Sequence, residues 1–229
     1  MKKDWKVLSV GGSIIIPKDG FNTEFLKNFR KMIVDRIENG ERFIIVIGGG
    51  ATCRNYQQAA KSVVDLSNQD LDWIGIHTTI YNAQFVRFLF KDIAYSEVVT
   101  DPTQKVDTDK SLIIAAGWKP GCSTDKDAVL FAQTYNAKEV FNLSNIDFVY
   151  DKDPNQFDDA KKITDIKWNE FQKIVGEEWD PGLSAPFDPI ASKLASEMKL
   201  KVSILCGTNL LTVANALSGT QFMGTVIHA

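Results

Sequence analysis

Long apolar runs, histidine clusters and an excess of one charge are all missing from this 229-residue sequence. Its longest apolar stretches, such as Phe43 to Ile47, are far shorter than the roughly 20 residues that cross a bilayer. The first residues contain no apolar core ahead of a small-residue cleavage site, so we expect no export signal and no membrane partner. A formal net charge of −3 provides no broad basic surface, which argues against nucleic acid as a partner.

Cysteine and histidine are scarce. The three cysteines, Cys53, Cys122 and Cys206, are odd in number and widely spaced. This pattern predicts reduced thiols and a cytoplasmic location rather than a disulfide framework. The two histidines, His77 and His228, form no zinc-binding pattern with the cysteines, so we expect no metal held by the chain's own side chains.

What the sequence does contain is a regular alternation of short β-branched or aromatic runs with longer segments at helical spacing. The predicted strands span residues 7–10, 43–47, 96–100, 112–116, 140–143 and 202–205. The predicted helices span residues 21–39, 51–64, 80–90, 125–135, 168–175 and 189–198. This order predicts an α/β fold, a mostly parallel open sheet sandwiched between helices in three α/β/α layers. Such sheets bind ligands beyond the carboxyl ends of their strands.

Two glycine clusters, Gly11-Gly12-Ser13 and Gly48-Gly49-Gly50, each follow an apolar strand directly. Glycine lets a backbone approach a phosphate, and amides at a helix start attract anions, although a tight turn alone would also explain either cluster. Neither cluster has the P-loop or G-x-G-x-x-G pattern, so a Walker NTPase or a Rossmann dehydrogenase is unsupported. Arg54 lies one helical turn past Gly50, where it either reaches the same phosphate or is a plain surface arginine.

Two further loops follow predicted strands. The segment from Gly117 to Asp125 ends in Ser123, Thr124 and Asp125, which either cap a helix or hold a substrate through hydroxyls and amides, with Asp125 as a charged organiser. The segment from Asn145 to Pro154 is either a plain polar loop or a site for a purine and ribose.

Lys193 lies near the start of the predicted helix that Pro189 opens. A helix dipole disfavours a cation at that end. Lys193 is therefore either simply solvated or positioned to meet an anion.

Taken in order, these motifs resemble those of the amino acid kinase superfamily, and within it the archaeal-type UMP kinases. The resemblance covers nearly the whole chain, because seven pieces occur in the right order and spacing. Those pieces are Val10 to Pro17, Ile47 to Arg54, Asp72 to Ile76, Gly117 to Asp125, Asn145 to Pro154 with Asp159 to Ile163, Phe187 to Lys193, and Gly224-Thr225.

The resemblance implies ATP-dependent phosphorylation of UMP, with ATP and Mg²⁺ as cofactors and UMP as the small-molecule partner. It implies one amino acid kinase-like domain over residues 1–229, with an acceptor-binding lobe over about 1–138 and a nucleotide-binding lobe over about 139–229. It also implies a homo-oligomer, either a hexamer or a dimer.

The same resemblance assigns roles to individual residues. Asp125 would orient catalytic groups and Lys193 would neutralise the transferring phosphoryl group. The residues implied to bind ATP are Gly12, Ser13, Gly50, Arg54, Ser144, Asn145, Tyr150 and Asp153. The residues implied to bind UMP are Gly49, Asp72 (on the ribose hydroxyls), Trp118, Lys119, Pro120, Gly121, Cys122, Ser123 and Thr124.

This chain departs from the family pattern at a few positions. Phe148 stands where relatives usually have glycine, so we expect a reshaped nucleotide loop.

Two other functions stay open. One alternative is a kinase of the same fold for isopentenyl phosphate, fosfomycin or carbamate. A kinase for isopentenyl phosphate would be expected to have a histidine soon after the glycine triplet, and none lies between Gly50 and His77. The other is a non-catalytic nucleotide- or oxyanion-binding homologue resembling molybdenum storage proteins.

Overall fold

Two β-sheets organise the computed structural model, which describes residues 3–121, 123–176, 178 and 185–229. The strands within these ranges are β1 Trp5–Val10, β2 Arg42–Ile47, β3 Leu112–Ala115, β4 Glu139–Ser144, β5 Val149–Tyr150, β6 Lys162–Ile163, β7 Asp165–Lys167, β8 Lys201–Cys206 and β9 Thr225–His228. The helices are α1 Gly12–Ile15, α2 Thr23–Glu38, α3 Gly50–Lys61, α4 Asn68–Leu89, α5 Thr124–Tyr135, α6 Trp168–Val175, α7 Pro189–Glu197 and α8 Leu210–Leu217.

The main sheet has seven strands in the order β3-β2-β1-β4-β8-β9-β7. Every neighbouring pair in it is parallel except β8 and β9. Strands β5 and β6 form a separate antiparallel pair. The mostly parallel open sheet that the sequence predicts is therefore confirmed.

Helices cover both faces of this sheet. Successive side chains of a strand point to opposite faces, and Val7 and Leu8 of β1 accordingly belong to two different apolar cores. The core around Val7 includes side chains of α5, α6 and α7, whereas the core around Leu8 includes side chains of α2, α4 and α8. The three-layer arrangement follows from these two cores. Within the described ranges, the helices fall short of the length and apolar character that a bilayer crossing requires.

The prediction of a strand over residues 96–100 is wrong. This segment makes only isolated bridges beside β3, where Ala94 pairs with Leu112 and Val99 with Ala115. Five steps separate Ala94 from Val99, but three steps separate Leu112 from Ala115, so the two chains cannot stay in register. The segment therefore pairs with β3 at isolated positions and does not form a continuous ladder.

Helix α4 begins at Asn68, well before the predicted start at residue 80. Ser67 caps it: its hydroxyl accepts a hydrogen bond from the amide of Asp70, and the Asp70 carboxylate accepts one from the amide of Ser67. This reciprocal capping box is readable in the sequence as Ser67-x-x-Asp70. The earlier start matters for function, because it places Asp72 and Gly75 on the same rigid helix as Thr79.

Candidate active site

The predicted site loops lie along one edge of the main sheet. Strands β1, β2, β3, β4 and β8 run parallel, so their carboxyl ends meet there. The loops are joined by backbone hydrogen bonds: the amide of Gly48 donates to the carbonyl of Val10, and the amide of Gly11 to the carbonyl of Leu143, both at 2.9 Å. The turn after β1 is thus fastened to β2 on one side and β4 on the other.

The two glycine clusters touch each other through their backbones. A Cβ atom added to Gly12 would lie 2.3 Å from the amide nitrogen of Gly50, and one added to Gly50 would lie 2.4 Å from the carbonyl carbon of Gly12. Gly50 also has a φ of +65°, a backbone conformation that residues with a side chain rarely adopt. Glycine is therefore required at both positions.

Asn82 supports this turn and was not predicted. It lies on α4, is fully buried, and donates through Nδ2 to the carbonyls of Gly48 at 3.0 Å and Gly49 at 3.2 Å. The available sequence signal was an asparagine at helical spacing from the buried residues Leu71, Thr79 and Val86. Its contacts fix the backbone from which the α3 amides project.

Beside the glycine contact is a cleft of about 230 Å³ between α3, α4 and the loop that follows β3. Many of the residues predicted for the acceptor and phosphates line it together. They are Gly49, Gly50, Arg54, Asp72, Trp118, Lys119, Ser123 and Thr124. The lining also contains residues that sequence reasoning missed, namely Cys53, Gln57, Gly75, Ile76, Thr79, Gly117 and Asp127.

The loop between β3 and α5 is held by aspartate side chains. Asp72 Oδ2 accepts a hydrogen bond from the amide of Gly121 at 2.8 Å. The Nζ atom of Lys119 lies 3.8 Å from the ring centroid of Trp118, a cation–π contact that fixes both side chains at the cleft. Pro120 is half-buried and does not line the cleft, and Cys122 lies outside the described residues.

Asp125 lies in the first turn of α5 and connects three parts of the chain. Its carboxylate accepts hydrogen bonds from the Ser9 hydroxyl at 2.9 Å and from the amide of Asp188 at 3.3 Å. Burial raises the pKa of Asp125 to about 6, against the opposing effect of the Ser9 hydrogen bond. The residue is therefore mostly ionised at neutral pH.

Asp188 positions α7 against α5. Its Oδ1 atom caps α7 by accepting from the amides of Ile190 at 2.6 Å and Ala191 at 3.2 Å. Its Oδ2 atom accepts from the amide of Ser123 at 2.9 Å. Lys193 is exposed in the second turn of that helix, and it does not line the cleft.

Asp127 is the most unusual carboxyl group of the cleft. The residue is only 1% exposed, and its Oδ2 atom accepts from the amide of Trp118 at 3.2 Å. Burial, followed by smaller contributions from Asp188 and Asp125, raises the pKa of Asp127 to about 8. In the sequence it looks like an ordinary acid in a first helical turn, which is why it was missed.

The remaining residues predicted for ATP lie apart from this cleft. Ser144 and Asn145 are at the carboxyl end of β4, where the Ser144 carbonyl accepts from the amide of Gly207 at 2.8 Å. Tyr150 belongs to the two-stranded sheet, and Asp153 is exposed in the loop after it. Neither these four residues nor Gly12 and Ser13 line the cleft.

Phe148 lies in the loop after β4 without a positive φ. Among the described residues other than glycine, positive φ occurs only at Asn136 and Lys199. The Phe148 side chain is 8% exposed, and Lys162 Nζ lies 4.9 Å from its ring centroid. Phenylalanine therefore adopts ordinary dihedrals and packs inward.

The class of protein follows from this fold and from direct comparison. The sequence model of the amino acid kinase family matches residues 4–206, and the chain belongs to that family. Its relatives include two archaeal proteins named uridylate kinase. The one from Sulfolobus acidocaldarius is 32% identical over 91% of this chain and 93% of its own, and the one from Methanocaldococcus jannaschii is 30% identical over 97% and 98%.

A solved structure agrees with these sequence relatives. The crystal structure of uridylate kinase from Archaeoglobus fulgidus superposes with a TM-score of 0.81 at 28% identity, over 99% of this chain and 100% of that chain. The UMP kinase of Bacillus anthracis, with a TM-score of 0.77 at 18% identity, covers 100% of this chain and 97% of its own, and shows the shared fold alone.

Proposed function

We propose that this protein transfers the γ-phosphoryl group of ATP to UMP. One observation carries the proposal: the acceptor cleft opens beside the contact between Gly12 and Gly50, at the sheet edge where the loops after β1, β2 and β4 meet. Such a junction can bring donor and acceptor phosphates together. The name uridylate kinase of the archaeal relatives supports UMP as the acceptor, and the family resemblance implies ATP as the donor.

The acceptor side needs no general base. A phosphate monoester has a second pKa near 6, so the attacking oxygen of UMP is already anionic at neutral pH. The tasks left to the protein are alignment and charge stabilisation. Arg54 and Lys119 provide cations at the cleft. Asp72 would accept hydrogen bonds from the ribose hydroxyls of UMP, either instead of its hydrogen bond from the Gly121 amide or in addition to it.

On the donor side, Gly12, Ser13 and the amides at the start of α3 would hold the ATP phosphates. Ser144, Asn145, Tyr150 and Asp153 would hold the adenosine at the end of β4. Asp125 connects the two sides, since it bonds Ser9 of β1 and the amide of Asp188 at the start of α7. It would thereby orient α7 and direct Lys193 toward the transferring group.

The described part of the chain supplies no group of side chains that would enclose Mg²⁺. Within the described residues, no three histidine, cysteine, aspartate or glutamate side chains come together as metal ligands. The proposed Mg²⁺ would therefore be carried on the nucleotide, with phosphate oxygens and water as its ligands, as this hard and strongly hydrated ion prefers.

The proposal retains an acceptor lobe over about 1–138 and a nucleotide lobe over about 139–229, a division that falls between α5 and β4. It also retains a cytoplasmic location. The thiols of Cys53 and Cys206 are free, which suits a reducing compartment.

An acceptor panel tests the function. ADP release is measured with Mg²⁺, ATP and each of UMP, CMP, isopentenyl phosphate, fosfomycin and carbamate, with ATP alone as the blank. We expect UMP to give the highest kcat/KM. Faster turnover of a non-nucleotide acceptor would overturn the UMP assignment and leave the family, and ADP release with none of them would favour a non-catalytic homologue.

A further inference from the structure

One oxygen atom in the cleft lacks the partner that its burial demands. Asp127 Oδ1 is buried and has no hydrogen-bond partner within the described part of the chain, whereas Oδ2 of the same carboxyl accepts from the amide of Trp118. Leaving a buried polar atom unpaired is unfavourable, and native structures rarely do so without a reason. Asp127 also lines the acceptor cleft, so a bound acceptor is a natural source of the missing partner.

The charges around Asp127 decide which hydrogen-bonding role Oδ1 has. Asp125 and Lys126 on α5 and Asp188 at the start of α7 act on it, and Arg54, Asp72 and Lys119 line the same cleft. Asp188 accepts three amide hydrogen bonds, from Ser123, Ile190 and Ala191. Burial and the two neighbouring carboxyls together keep the proton on Asp127 at neutral pH. Since Oδ2 is used as an acceptor, the proton belongs on Oδ1, which is then a hydroxyl donor.

We propose that Asp127 determines the base specificity of the acceptor site, by donating a hydrogen bond from its Oδ1 hydroxyl to the carbonyl oxygen at position 4 of the pyrimidine ring. This inference rests on the proposed function, since it concerns how the same cleft recognises UMP. It assigns to Asp127 a binding role that none of the motifs in the sequence indicates.

Access to Oδ1 depends on the loop between β3 and α5. Three amides of this loop donate to aspartate side chains: Trp118 to Asp127, Gly121 to Asp72, and Ser123 to Asp188. The ribose hydroxyls of an acceptor compete with Gly121 for Asp72. Uncovering Oδ1 for the base then requires a local shift around Gly121 that leaves the hydrogen bond from the Trp118 amide to Oδ2 in place.

The chemistry of the two common pyrimidines makes the proposal specific. At ring position 4, uracil presents a carbonyl acceptor and cytosine presents an amino donor. A hydroxyl donor at Oδ1 pairs with the first and opposes the second, so protonated Asp127 favours UMP over CMP. Ionised Asp127 can only accept and would favour CMP, so the preference should weaken as pH rises past the pKa of about 8.

The test measures kcat/KM for UMP and CMP with the parent, Asp127→Asn and Asp127→Leu at about pH 6.5 and about pH 8.5. Between these values the protonated fraction of a group with a pKa of about 8 falls about fourfold, and the UMP/CMP ratio of the parent should fall at least that much. Asp127→Asn keeps an uncharged donor, so its ratio should stay near the parent's low-pH value at both pH values. Asp127→Leu should lose roughly tenfold in the ratio at the lower pH, as expected for one lost hydrogen bond.

The outcomes separate this inference from the proposed function. A parent that phosphorylates UMP with a ratio unaffected by pH, together with an Asp127→Leu variant of parental ratio, overturns the inference and leaves the function intact. A parent that does not phosphorylate UMP overturns both. Melting curves are recorded for each protein, and if Asp127→Leu does not fold, the contrast in pH dependence between the parent and Asp127→Asn decides alone.

Discussion

At the scale of single residues, Lys193 gives the sharpest test of mechanism. It is exposed in the second turn of α7, a helix whose start is bound to Asp125 and Ser123 through Asp188. If Lys193 stabilises charge on the transferring group, Lys193→Ala should lower kcat roughly a hundredfold, or on the order of 3 kcal/mol. ATP affinity should change much less, because the interaction strengthens only in the transition state.

The matched control is Lys27→Ala, which removes an equally exposed lysine from α2. Both variants are compared by steady-state kcat, ATP affinity and melting temperature. Lys193→Arg should restore the rate only in part, because the planar guanidinium of arginine does not replace the compact ammonium of lysine. A folded Lys193→Ala protein with the kcat of the control would show that the lysine is merely solvated.

Asp127 also makes stability depend on pH. Its pKa rises from 3.8 to about 8 on folding, so the folded state binds the proton more tightly and the free energy of unfolding falls as pH rises between those values. One such group changes the unfolding free energy by up to about 1.4 kcal/mol per pH unit. Asp127→Asn should abolish this slope.

Urea unfolding at about pH 6.5 and about pH 7.5 isolates the effect, because Asp125, with a pKa of about 6, is present in both proteins and its titration is subtracted in the comparison. His228, whose pKa is raised mainly by its hydrogen bond to Asp165, titrates in both proteins and cancels in the comparison. Equal slopes in the parent and Asp127→Asn would mean that Asp127 is already ionised in the folded state.

At the scale of elements, the contact between the starts of α1 and α3 predicts a strong asymmetry between adjacent glycines. A methyl group at Gly12 would meet only backbone atoms, which cannot move aside. Gly12→Ala should therefore cost about 3 kcal/mol or more in unfolding free energy and abolish activity. Gly11→Ala is the control: its Cβ would lie 3.3 Å from the Leu143 carbonyl oxygen, and a cost of about 1 kcal/mol is expected.

The prediction is checked by chemical denaturation of both variants. Each variant that folds is then assayed for ADP release with UMP as the acceptor. Similar stabilities for Gly12→Ala and Gly11→Ala would show that the two glycine turns separate more easily than their close contact implies.

The elements differ in how far sequence predicts them, and the reasons are physical. Strand β2 is a continuous apolar run buried on both faces, so the prediction over 43–47 matches Arg42–Ile47 closely. Parallel strands bring their carboxyl ends to one edge, so the loops after β2 and β3 could be expected to share a site, and in the structure they line one cleft. The contact of Asn82 with Gly48 spans 34 residues and depends on how α4 crosses the sheet, which no local pattern encodes.

At the scale of the whole molecule, we predict assembly beyond a monomer. Helices α3 and α4 and the turn after α3 expose several large apolar side chains, a feature typical of interaction surfaces. They are Tyr56, Val63, Val64, Trp73, Tyr81 and Phe88. Light scattering at micromolar concentration should show a mass above that of the 25.6 kDa chain, and the pair Tyr81→Lys with Phe88→Glu should lower it.

Ile174→Lys is the control for this experiment, because it places a new charge on α6, against the opposite face of the sheet. A parent protein that scatters as a monomer would contradict the prediction outright. A mass lowered equally by Ile174→Lys would locate the contact elsewhere.

The position of β1 between β2 and β4 sets the distance between the loops that follow those two strands. Strand β1 pairs along six residues with β2 and along four with β4. The strand that leads to the proposed UMP side and the strand that leads to the proposed adenosine side are therefore fixed on either side of one central strand. Strands in a sheet are about 4.8 Å apart, so the proposed donor and acceptor loops are rooted about 10 Å from each other. Main-chain hydrogen bonds between the strands, rather than any side chain, therefore set the separation of the roots of the proposed donor and acceptor loops.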